Sequence, residues 1–318
     1  MANSDQKWQR DYVLQVDGRM PMRSSDGKMV PDPDNQNHHV VAMPLTVMFD
    51  INRKMLATAQ TGHFKIYNLK EETRRDLYHV WYELDVAFKQ SISMFAGYQS
   101  QGNTQKLLFS GFITRCWSYR SGPDWITEID AFDGGMGNIT GNISMTIPKS
   151  VDGKPINGAD LIRKLTSPMT FTQFGACGSF DINPVRAVSF LGSALDLAVR
   201  VRGTGGQVYT DNSNLYALSD NEYLVKPGMQ GIEIDSDQIL GSPMREGAVI
   251  TVTTILEPSV FLGGICKLTS RDQDYNGSWQ MRGIQHKGTI SAGVCGEATT
   301  ILNLWVGTSP LVSVMAER

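Results

Sequence analysis

Apolar and polar residues alternate with a period of two along much of the first third of the chain. In residues 40–51 (VVAMPLTVMFDI), alternation through Leu45, Val47 and Phe49 is typical of a half-buried strand. The same pattern recurs in four further segments, at 62–69, 91–99, 106–120 and 124–134. Short turns separate some of these segments, and one of them is the Ser-Gly-Pro-Asp turn at 121–124. Because connections this short favour antiparallel neighbours, the last three segments, at 91–99, 106–120 and 124–134, predict a β-meander.

Three stretches interrupt this pattern. Residues 17–37 carry Asp-Gly, Pro and Asn in quantity, and they predict a loop or a weakly paired hairpin. Residues 70–84 (KEETRRDLYHVWYEL) have acids first and bases after them, which favours a short helix. The Gly-rich residues 134–143 follow the predicted meander and mark the first predicted domain boundary.

The middle of the chain has helical spacing instead. In residues 157–165 (NGADLIRKL), apolar residues recur at helical intervals, and the Ser-Pro pair that follows would end the helix. A second helix is predicted over residues 184–203, with Asn183 as its N-cap and a proline at its first position. A hairpin is predicted around Asp211-Asn212. These elements together predict a small α+β part.

Strand patterns return from Gly247 onward. Four short β segments occupy residues 248–256, 263–270, 277–290 and 298–307. Asn276-Gly277 is the strongest hairpin signal in the chain. The fold class predicted from the sequence is therefore mainly β with a smaller α+β part. The predicted domains are an N-terminal β module (1–135), a small α+β module (136–240) and a C-terminal β module (241–318).

The composition is that of an ordinary globular protein. Hydrophobic residues make up 41% of the 318 residues and charged residues 19%, which excludes a disordered chain. The formal net charge of −3 argues against a dedicated DNA or RNA binder, which needs a positive field to displace counterions. No apolar run approaches the roughly 18–20 residues of a membrane helix, so no membrane insertion is expected. The first ten residues lack the features of a secretory signal, and cytoplasmic assembly is the expectation.

The cysteines do not form a metal-binding pattern. They are widely spaced, without a Cys-x-x-Cys pair. A zinc site would need four ligands to converge from distant segments, so reduced and mostly buried thiols are the preferred interpretation. The four cysteines are Cys116, Cys177, Cys266 and Cys295.

The histidines and the Gly-rich stretches likewise lack a catalytic signature. No nucleophile elbow, His-Glu-x-x-His pair or Walker motif is present, and GTGG at 203–206 is predicted to be a helix C-cap and turn. No histidine has an Asp or Cys at a spacing that local geometry would turn into a dyad. Distant residues could still converge on one of them, as they do in catalytic triads. The five histidines are His38, His39, His63, His79 and His286.

Two further groups of residues have an alternative functional interpretation. Glu233, Asp235 and Asp237 alternate and would share one strand face, where a calcium site is conceivable but a solvated face is preferred. Four aromatic residues could line a sugar-binding groove, although packing anchors near turns are the preferred interpretation. They are Trp117, Tyr119, Trp125 and Trp279.

The order of the strand motifs resembles that of phage tail baseplate hub proteins. In the first third, the family's motifs are a strand ending in Ile-x-Asn-Leu, a Leu-Phe-x-Gly-x-Ile strand and an Asp-Trp-x-Thr strand closing on Asp-Gly. This chain has FKIYNL (64–69), KLLFSGFI (106–113) and GPDWITEIDAFDGG (122–135) in the same order. The last third, GAVITVTTILEPSVFLGGICKLTS (247–270) followed by NGSWQMRGIQHKG (276–288), is similar to the family's closing module.

The resemblance implies two tube-like antiparallel β-barrel modules flanking the small helix-containing module. Three copies of such a chain would present six similar modules, so a homotrimeric hub can join a hexameric tail tube to a trimeric spike. The implied partners are the tail tube protein above, the spike protein below, and the tape-measure and other baseplate proteins. DNA would pass through this conduit without specific binding. The implied location is the virion tail baseplate, with assembly in the host bacterial cytoplasm.

A structural, non-enzymatic virion protein is therefore the leading hypothesis, with no catalytic, cofactor-binding or metal-binding residues. Two alternatives of other classes stay open. One is a tail-associated peptidoglycan hydrolase, although no pair of catalytic carboxylates and no Cys/His/Asp arrangement is recognisable. The other is a tail-tip protein that binds host glycans through the aromatic residues named above.

Overall fold

The structure of the chain is a computed structural model. It describes residues 9–17, 22–23, 29–30, 39–77, 90–98, 105–134, 141–150, 155–227, 231–292, 296–307 and 311–316. The second half of the helix predicted at 70–84, together with His38, His79 and Cys295, lies outside the described residues. No helix in the described ranges is long and apolar enough to cross a membrane.

The N-terminal region consists of antiparallel strands and one short helix. Its elements are β1 (Arg10–Asp17), β2 (Met22–Arg23), β3 (Met29–Val30), β4 (His39–Ala42), β5 (Val47–Lys54), β6 (Gln60–Tyr67), α1 (Glu71–Leu77), β7 (Ser91–Tyr98), β8 (Lys106–Ser121) and β9 (Asp124–Asp133). The predicted alternation is confirmed, since Phe49 and Ile51 of β5 and Phe64 and Ile66 of β6 are buried. β8 and β9 form a hairpin whose turn contains Gly122, with φ of 59° in the left-handed region that favours glycine.

The predicted three-strand meander is confirmed. β7 pairs with β8 and β8 pairs with β9, but β6 pairs with β9 instead of its successor β7. The connection from β6 to β7 includes α1 and is too long for a hairpin turn. It is long enough to cross β9 and β8, which lie between β6 and β7 in the sheet.

The middle region combines two helices with short sheets. Its elements are β10 (Asn142–Ile147), β11 (Ile156–Asn157), α2 (Gly158–Thr166), β12 (Gln173–Cys177), β13 (Asp181–Ile182), β14 (Val188–Ser193), α3 (Ala194–Arg202), β15 (Gly206–Asp211) and β16 (Asn214–Ser219). The first predicted helix is confirmed as α2, with Asn157 as its N-cap. β15 and β16 form the predicted hairpin, and its two turn residues, Asn212 and Ser213, both have positive φ.

The second predicted helix is wrong over its first half. Residues 188–193 form β14, which pairs antiparallel with β10, and α3 begins only at Ala194. The N-cap is therefore Ser193, whose hydroxyl accepts a hydrogen bond from the backbone of Asp196, and not Asn183. Ladder pairing with a strand about forty residues earlier overrides the local helical spacing.

The C-terminal region is again built from strands. Its elements are β17 (Glu222–Val225), β18 (Ile232–Ile234), β19 (Met244–Glu246), β20 (Val249–Ile255), β21 (Ile265–Leu268), a 3₁₀ turn (Gln273–Tyr275), β22 (Gly277–Ile290), β23 (Ala298–Trp305) and β24 (Val312–Met315). β21 and β22 pair as a hairpin, but Asn276-Gly277 is not its two-residue turn. The loop before β22 is closed by the Asn276 side chain, which accepts a hydrogen bond from the Ser270 backbone at 2.6 Å.

One large sheet joins the two ends of the chain. Its strand order is β19-β20-β23-β22-β5-β6-β9-β8-β7-β1-β4, and β21 and β18 attach beside β22. The mainly β class is confirmed. Closure of the strands into two barrels is not seen among the described residues, where this path is open at both ends.

The buried residues form three clusters. One lies under the N-terminal strands, one under the C-terminal strands, and one between α2, α3 and the β15–β16 hairpin. The predicted domain boundaries at 135 and 240 stay a prediction.

Candidate functional site at the junction of β5 and β22

Strands β5 and β22 bring the N- and C-terminal regions together. They pair antiparallel from Val47↔Ile290 to Lys54↔Gly283. Alternation along β5 turns Phe49, Ile51 and Arg53 towards the interior and the residues between them towards the outer face. The junction therefore carries two groups of polar side chains, one on each face of the sheet.

The outer face carries a row of charged side chains that crosses several strands. The register aligns Lys287 of β22, Asp50 of β5, His63 of β6 and Asp130 of β9. His63 Nδ1 lies 2.5 Å from Asp130 Oδ1, while Arg115 of β8 donates to Oδ2 of the same carboxylate at 2.6 and 2.9 Å. Arg115 and Asp130 thus form an ion pair within this row.

A second ion-paired group lies beside this row. Lys65 Nζ is 2.8 Å from Glu128, and the Tyr119 hydroxyl donates to the same carboxylate at 2.7 Å. Burial alone would raise the pKa of Glu128, but the hydrogen bonds from Lys65 and Tyr119 outweigh it and hold this pKa below its ordinary value. Glu128 is therefore ionised at neutral pH and its charge is matched by Lys65.

His63 stands between two shallow grooves of the outer face. The larger, of about 450 Å³, is lined by Asp50, Asn52, Thr61, Gly62, His63, Thr114, Asp130, Ala131 and Phe132. The other, of about 400 Å³, is lined by Met48, Phe49, Asp50, His63, Lys65, Lys287, Gly288, Thr289, Glu297 and Thr299. A His–Asp pair can serve as a general base, but the carboxylate of Asp130 is shared with Arg115. These described lining residues include no Ser or Cys that could act as a nucleophile.

The sequence did not single out this pair because its members are 67 positions apart. Only the pairing of β6 with β9 brings His63 and Asp130 together. The other described histidines also have polar neighbours. His39 lies 3.4 Å from Asp76, and His286 is fully buried in the inner group.

The inner face of the junction holds a buried polar cluster. Arg53 of β5 is 2% exposed, and its Nη1 lies 3.2 Å from the carboxylate of Asp211, which is 1% exposed. Arg53 Nη2 also contacts the Val260 carbonyl at 3.3 Å and His286 Nε2 at 3.4 Å. Asp211 is the last residue of β15, so the tip of the middle hairpin reaches the junction.

Further hydrogen bonds hold this hairpin tip in place. The Gln60 amide donates to the Thr210 carbonyl at 2.8 Å, and Asp133 accepts from the Ser213 backbone at 2.9 Å. The Asn212 side chain accepts from the Ser110 backbone at 3.0 Å. Strands β6, β8 and β9 thus each bind the tip, which ties the middle region to the large sheet.

Burial and neighbouring charge shift two pKa values in the cluster. Burial, followed by the nearby Asp211 carboxylate, raises the pKa of Asp133 to about 7. Burial, followed by the Arg53 guanidinium, lowers the pKa of His286 well below its ordinary value. His286 is therefore neutral at pH 7, so its Nε2 accepts from Arg53 while Nδ1–H donates to Thr300 Oγ1 at 2.9 Å.

The sequence contains a signal for this cluster. Arg53 follows Val47, Phe49 and Ile51 at the same parity, so the alternation of β5 turns a charge towards the core. A charge at a core-facing position needs a buried partner. The signal identifies Arg53 but cannot identify Asp211, which lies 158 positions away.

Three of the four cysteines lie within the described residues. Cys116 and Cys266 are buried and Cys177 is half-buried; all three are free thiols, and burial raises the pKa of each to about 12.

The expected strand face with three acids is wrong, because β18 ends at Ile234 and Asp235 already begins a turn. No group of three or more metal-ligating side chains occurs in the described part of the chain.

The aromatic residues are held by neighbouring side chains. Arg115 lies over the ring of Trp117 and Arg74 over that of Trp125, at 4.3 and 3.9 Å from the ring centroids. Trp279 packs against the C-terminal core and donates to the Tyr275 carbonyl at 3.0 Å. The three tryptophan rings lie on three different strands, and the Tyr119 hydroxyl is hydrogen-bonded to Glu128.

Solved structures with the same overall fold come from tails and secretion systems. The 43 kDa tail protein of prophage MuSo2 from Shewanella oneidensis matches with a TM-score of 0.53 at 8% identity, over 92% of this chain and 97% of that chain. The c3393 protein of E. coli, a component of the type VI secretion system, matches with a TM-score of 0.50 at 9% identity, over 84% of this chain and 76% of that chain. At such low identity these similarities concern the fold alone.

Sequence comparison identifies the family. No curated protein matches the sequence. The family model described as Baseplate hub gp41, however, matches residues 28–287, which is most of the chain. This match covers the region in which the strand motifs resembled baseplate hub proteins, and it confirms that resemblance. The chain therefore belongs to the Baseplate hub gp41 family.

Proposed function

We propose that this chain is a structural, non-enzymatic virion protein that forms a homotrimeric hub in the tail baseplate. The trimer joins the hexameric tail tube to the trimeric spike and forms part of the DNA conduit. Family membership supports the structural role in the tail. The trimer, its position between tube and spike, and the conduit are the proposed part.

The observation that carries the proposal is the continuous sheet. Pairing of β5 with β22 places N-terminal and C-terminal strands side by side, so each chain contributes two neighbouring β units to one surface. Three chains then supply six units. This arrangement resolves the mismatch between a six-fold tube and a three-fold spike.

The two ends of the sheet support assembly with further copies. Among the described strands, β4 pairs only with β1, and β19 pairs only with β20. Both ends expose apolar side chains: Val40 of β4 is 53% exposed and Met244 of β19 is 66% exposed. Since the ends differ, contact between β4 of one copy and β19 of the next is head-to-tail, and such contacts form a closed ring when the rotation between copies is one third of a turn. Closure covers edges that would otherwise recruit foreign strands.

The outer face of the junction suits the wall of a conduit. Two of its basic side chains, Lys65 and Arg115, are each paired with a carboxylate. A wall with matched charges holds phosphates weakly, which lets DNA pass without specific binding.

Light scattering and electron microscopy of the purified chain test the trimer. We expect a mass of three chains and ring-shaped particles. Met244→Asp places a charge on an exposed edge and should shift the particles towards monomer. Leu56→Asp, at a 49% exposed site outside the sheet edges, is the matched control and should leave the trimer intact. A strictly monomeric wild-type chain would refute the proposal.

Assays with bacterial cell walls and host glycans separate the alternatives. A zymogram should show no clearing by the wild-type chain, and a glycan array should show no binding. Clearing that is lost in His63→Gln would establish the hydrolase instead. Glycan binding that is lost in Trp125→Ala or Trp279→Ala would establish the carbohydrate-binding protein.

A further inference from the structure

The β10–β14 ribbon is isolated from the other sheets in the described part of the chain. β10 and β14 pair with each other over six residues, from Asn142↔Ser193 to Ile147↔Val188, and with no other described strand. Two-stranded ribbons are at best marginally stable by themselves. This ribbon is held on one face only, where Ile143, Met145 and Phe190 pack against the third core cluster.

Three exposed apolar side chains lie on β14 and on the segment before it. Of the two on β14, only Leu191 points away from the face that packs on the core, because Val188 pairs with Ile147 and shares the face of Phe190. Val185 is 86% exposed and Leu191 is 83% exposed, and Val188 is also exposed. All three lie within seven residues of one another, on β14 or on the segment leading into it. An exposed strand edge with apolar side chains is a site where another extended segment can add.

The segment that contains the ribbon carries more cations than carboxylates. Between residues 141 and 205, the described chain contains six Lys or Arg residues and three acidic residues, all Asp, whereas the whole chain has a net charge of −3. One of the six cations, Arg202, has a side chain that is only 7% exposed and lies 3.9 Å from Glu222, so it is already paired. The exposed cations near β14 include Lys149, Arg186 and Arg200, and the Arg200 guanidinium lies 5.4 Å from the centre of the Phe190 ring. The β10 and β14 strands themselves contain no charged residue. A segment that docks here is therefore favoured if it is acidic.

We propose that the free edge of β14 binds an extended acidic segment of another protein of the tail by β-strand addition. Backbone hydrogen bonds to β14 would supply affinity, and the apolar face of the segment would cover Leu191. Acidic side chains would lie near Arg186 and Arg200. This surface is separate from the sheet ends at β4 and β19, so the proposal goes beyond the trimer.

A peptide-binding experiment tests the edge directly. The probe is a fluorescent ten-residue peptide in which Val and Glu alternate, and the comparison peptide alternates Val and Lys. We expect the Glu peptide to bind the full-length chain and the Lys peptide to bind at least tenfold more weakly. Binding of the Glu peptide should weaken with added salt because the attraction is partly electrostatic. Equal binding of both peptides, or no binding of the Glu peptide, would overturn the proposal.

Two variants locate the binding surface. Leu191→Asp and Arg186→Glu each change an exposed side chain, and each should weaken binding of the Glu peptide at least tenfold. Leu56→Asp is the control for the first and should bind like the wild type. An equal loss in Leu56→Asp would contradict an edge at β14. Light scattering on Leu191→Asp shows whether β14 binds another protein or a second copy of this chain. A lower oligomeric mass would mean that β14 contacts a second copy, and the proposal would be wrong. An unchanged mass with lost peptide binding supports it, whether or not that mass is a trimer.

A photo-crosslinking residue at position 191 provides an independent measurement in assembled tails. We expect it to capture a segment of a different protein in which acidic and apolar residues alternate, while the same residue at position 56 should not capture that segment. Capture of the chain itself, of a basic segment or of no protein would contradict the proposal.

Discussion

The buried pair of Arg53 and Asp211 gives the sharpest test of how this fold is held together. Asp211→Ala removes a carboxylate from a site where both side chains are almost fully buried. Arg53 then keeps the Val260 carbonyl and the neutral His286 as neighbours. Neither of these carries the negative charge that balances the guanidinium.

The expected loss of stability is large. Removing one partner of a buried ion pair leaves an uncompensated buried charge, which costs about 3–5 kcal/mol. The double variant Arg53→Met/Asp211→Leu removes both fully buried charges and should cost less than the sum of its single variants. Lys226, which lies 3.7 Å from Asp211, also loses this partner, but its side chain is 21% exposed and can be hydrated. The magnitude follows from burial, since an exposed pair is worth about 0–1 kcal/mol.

Urea unfolding followed by tryptophan fluorescence measures this difference at a fixed protein concentration. Lys267→Met is the control, since the Lys267–Glu233 pair has a similar contact distance of 2.8 Å but is well exposed. We expect a change in this control that is small compared with that of Asp211→Ala, because water screens an exposed pair. The reasoning is refuted if Asp211→Ala costs no more than Lys267→Met, or if the two single variants of the buried pair are additive in the double variant.

Three further predictions concern other buried groups. The pKa of Asp133 is raised to about 7 in the folded state, so the folded chain holds a proton that the unfolded chain releases near pH 4, and this group makes the free energy of unfolding fall as pH rises from about 4 to 7. Asp133→Asn should flatten that fall in urea midpoints measured across this pH range. An unchanged slope would contradict the raised pKa. Gly111→Ala should destabilise the chain by about 1–3 kcal/mol, because the added Cβ would lie 2.6 Å from the Phe132 carbonyl oxygen. A urea midpoint equal to that of the wild type would disprove this clash. Cys116 and Cys266 should react slowly with iodoacetamide in the folded chain at pH 8 and rapidly in urea, since burial raises the pKa of both thiols to about 12. Peptide mass spectrometry follows the labelling. Rapid labelling without urea would show that the thiols are accessible.

The local pattern of the sequence was sufficient to locate most strands. The segments predicted at 248–256, 277–290 and 298–307 correspond to β20, β22 and β23. A strand buried on one face imposes a period of two on its own residues, so the information is contained in the segment itself. The same holds for α2, whose N-cap Asn157 and apolar spacing are both local signals.

Residues 184–193 show where the local pattern failed. Their apolar spacing favours a helix, but β10 offers a complete ladder to residues 188–193. A partner about forty residues away is not visible in a window of ten residues. The β6–β9 pairing was missed for the same reason, and with it the contact of His63 with Asp130.

The sequence by itself determined the mainly β class, the positions of most strands and, through its order of motifs, the family. Only the tertiary structure decided how the strands join, which edges stay free and which charges meet. Arg53 could be recognised as a charge facing inward, yet its partner Asp211 arrives from a hairpin 158 positions later. Strand formation depends on neighbours along the chain, whereas strand order and buried ion pairs depend on contacts between distant segments, which residue spacing does not encode.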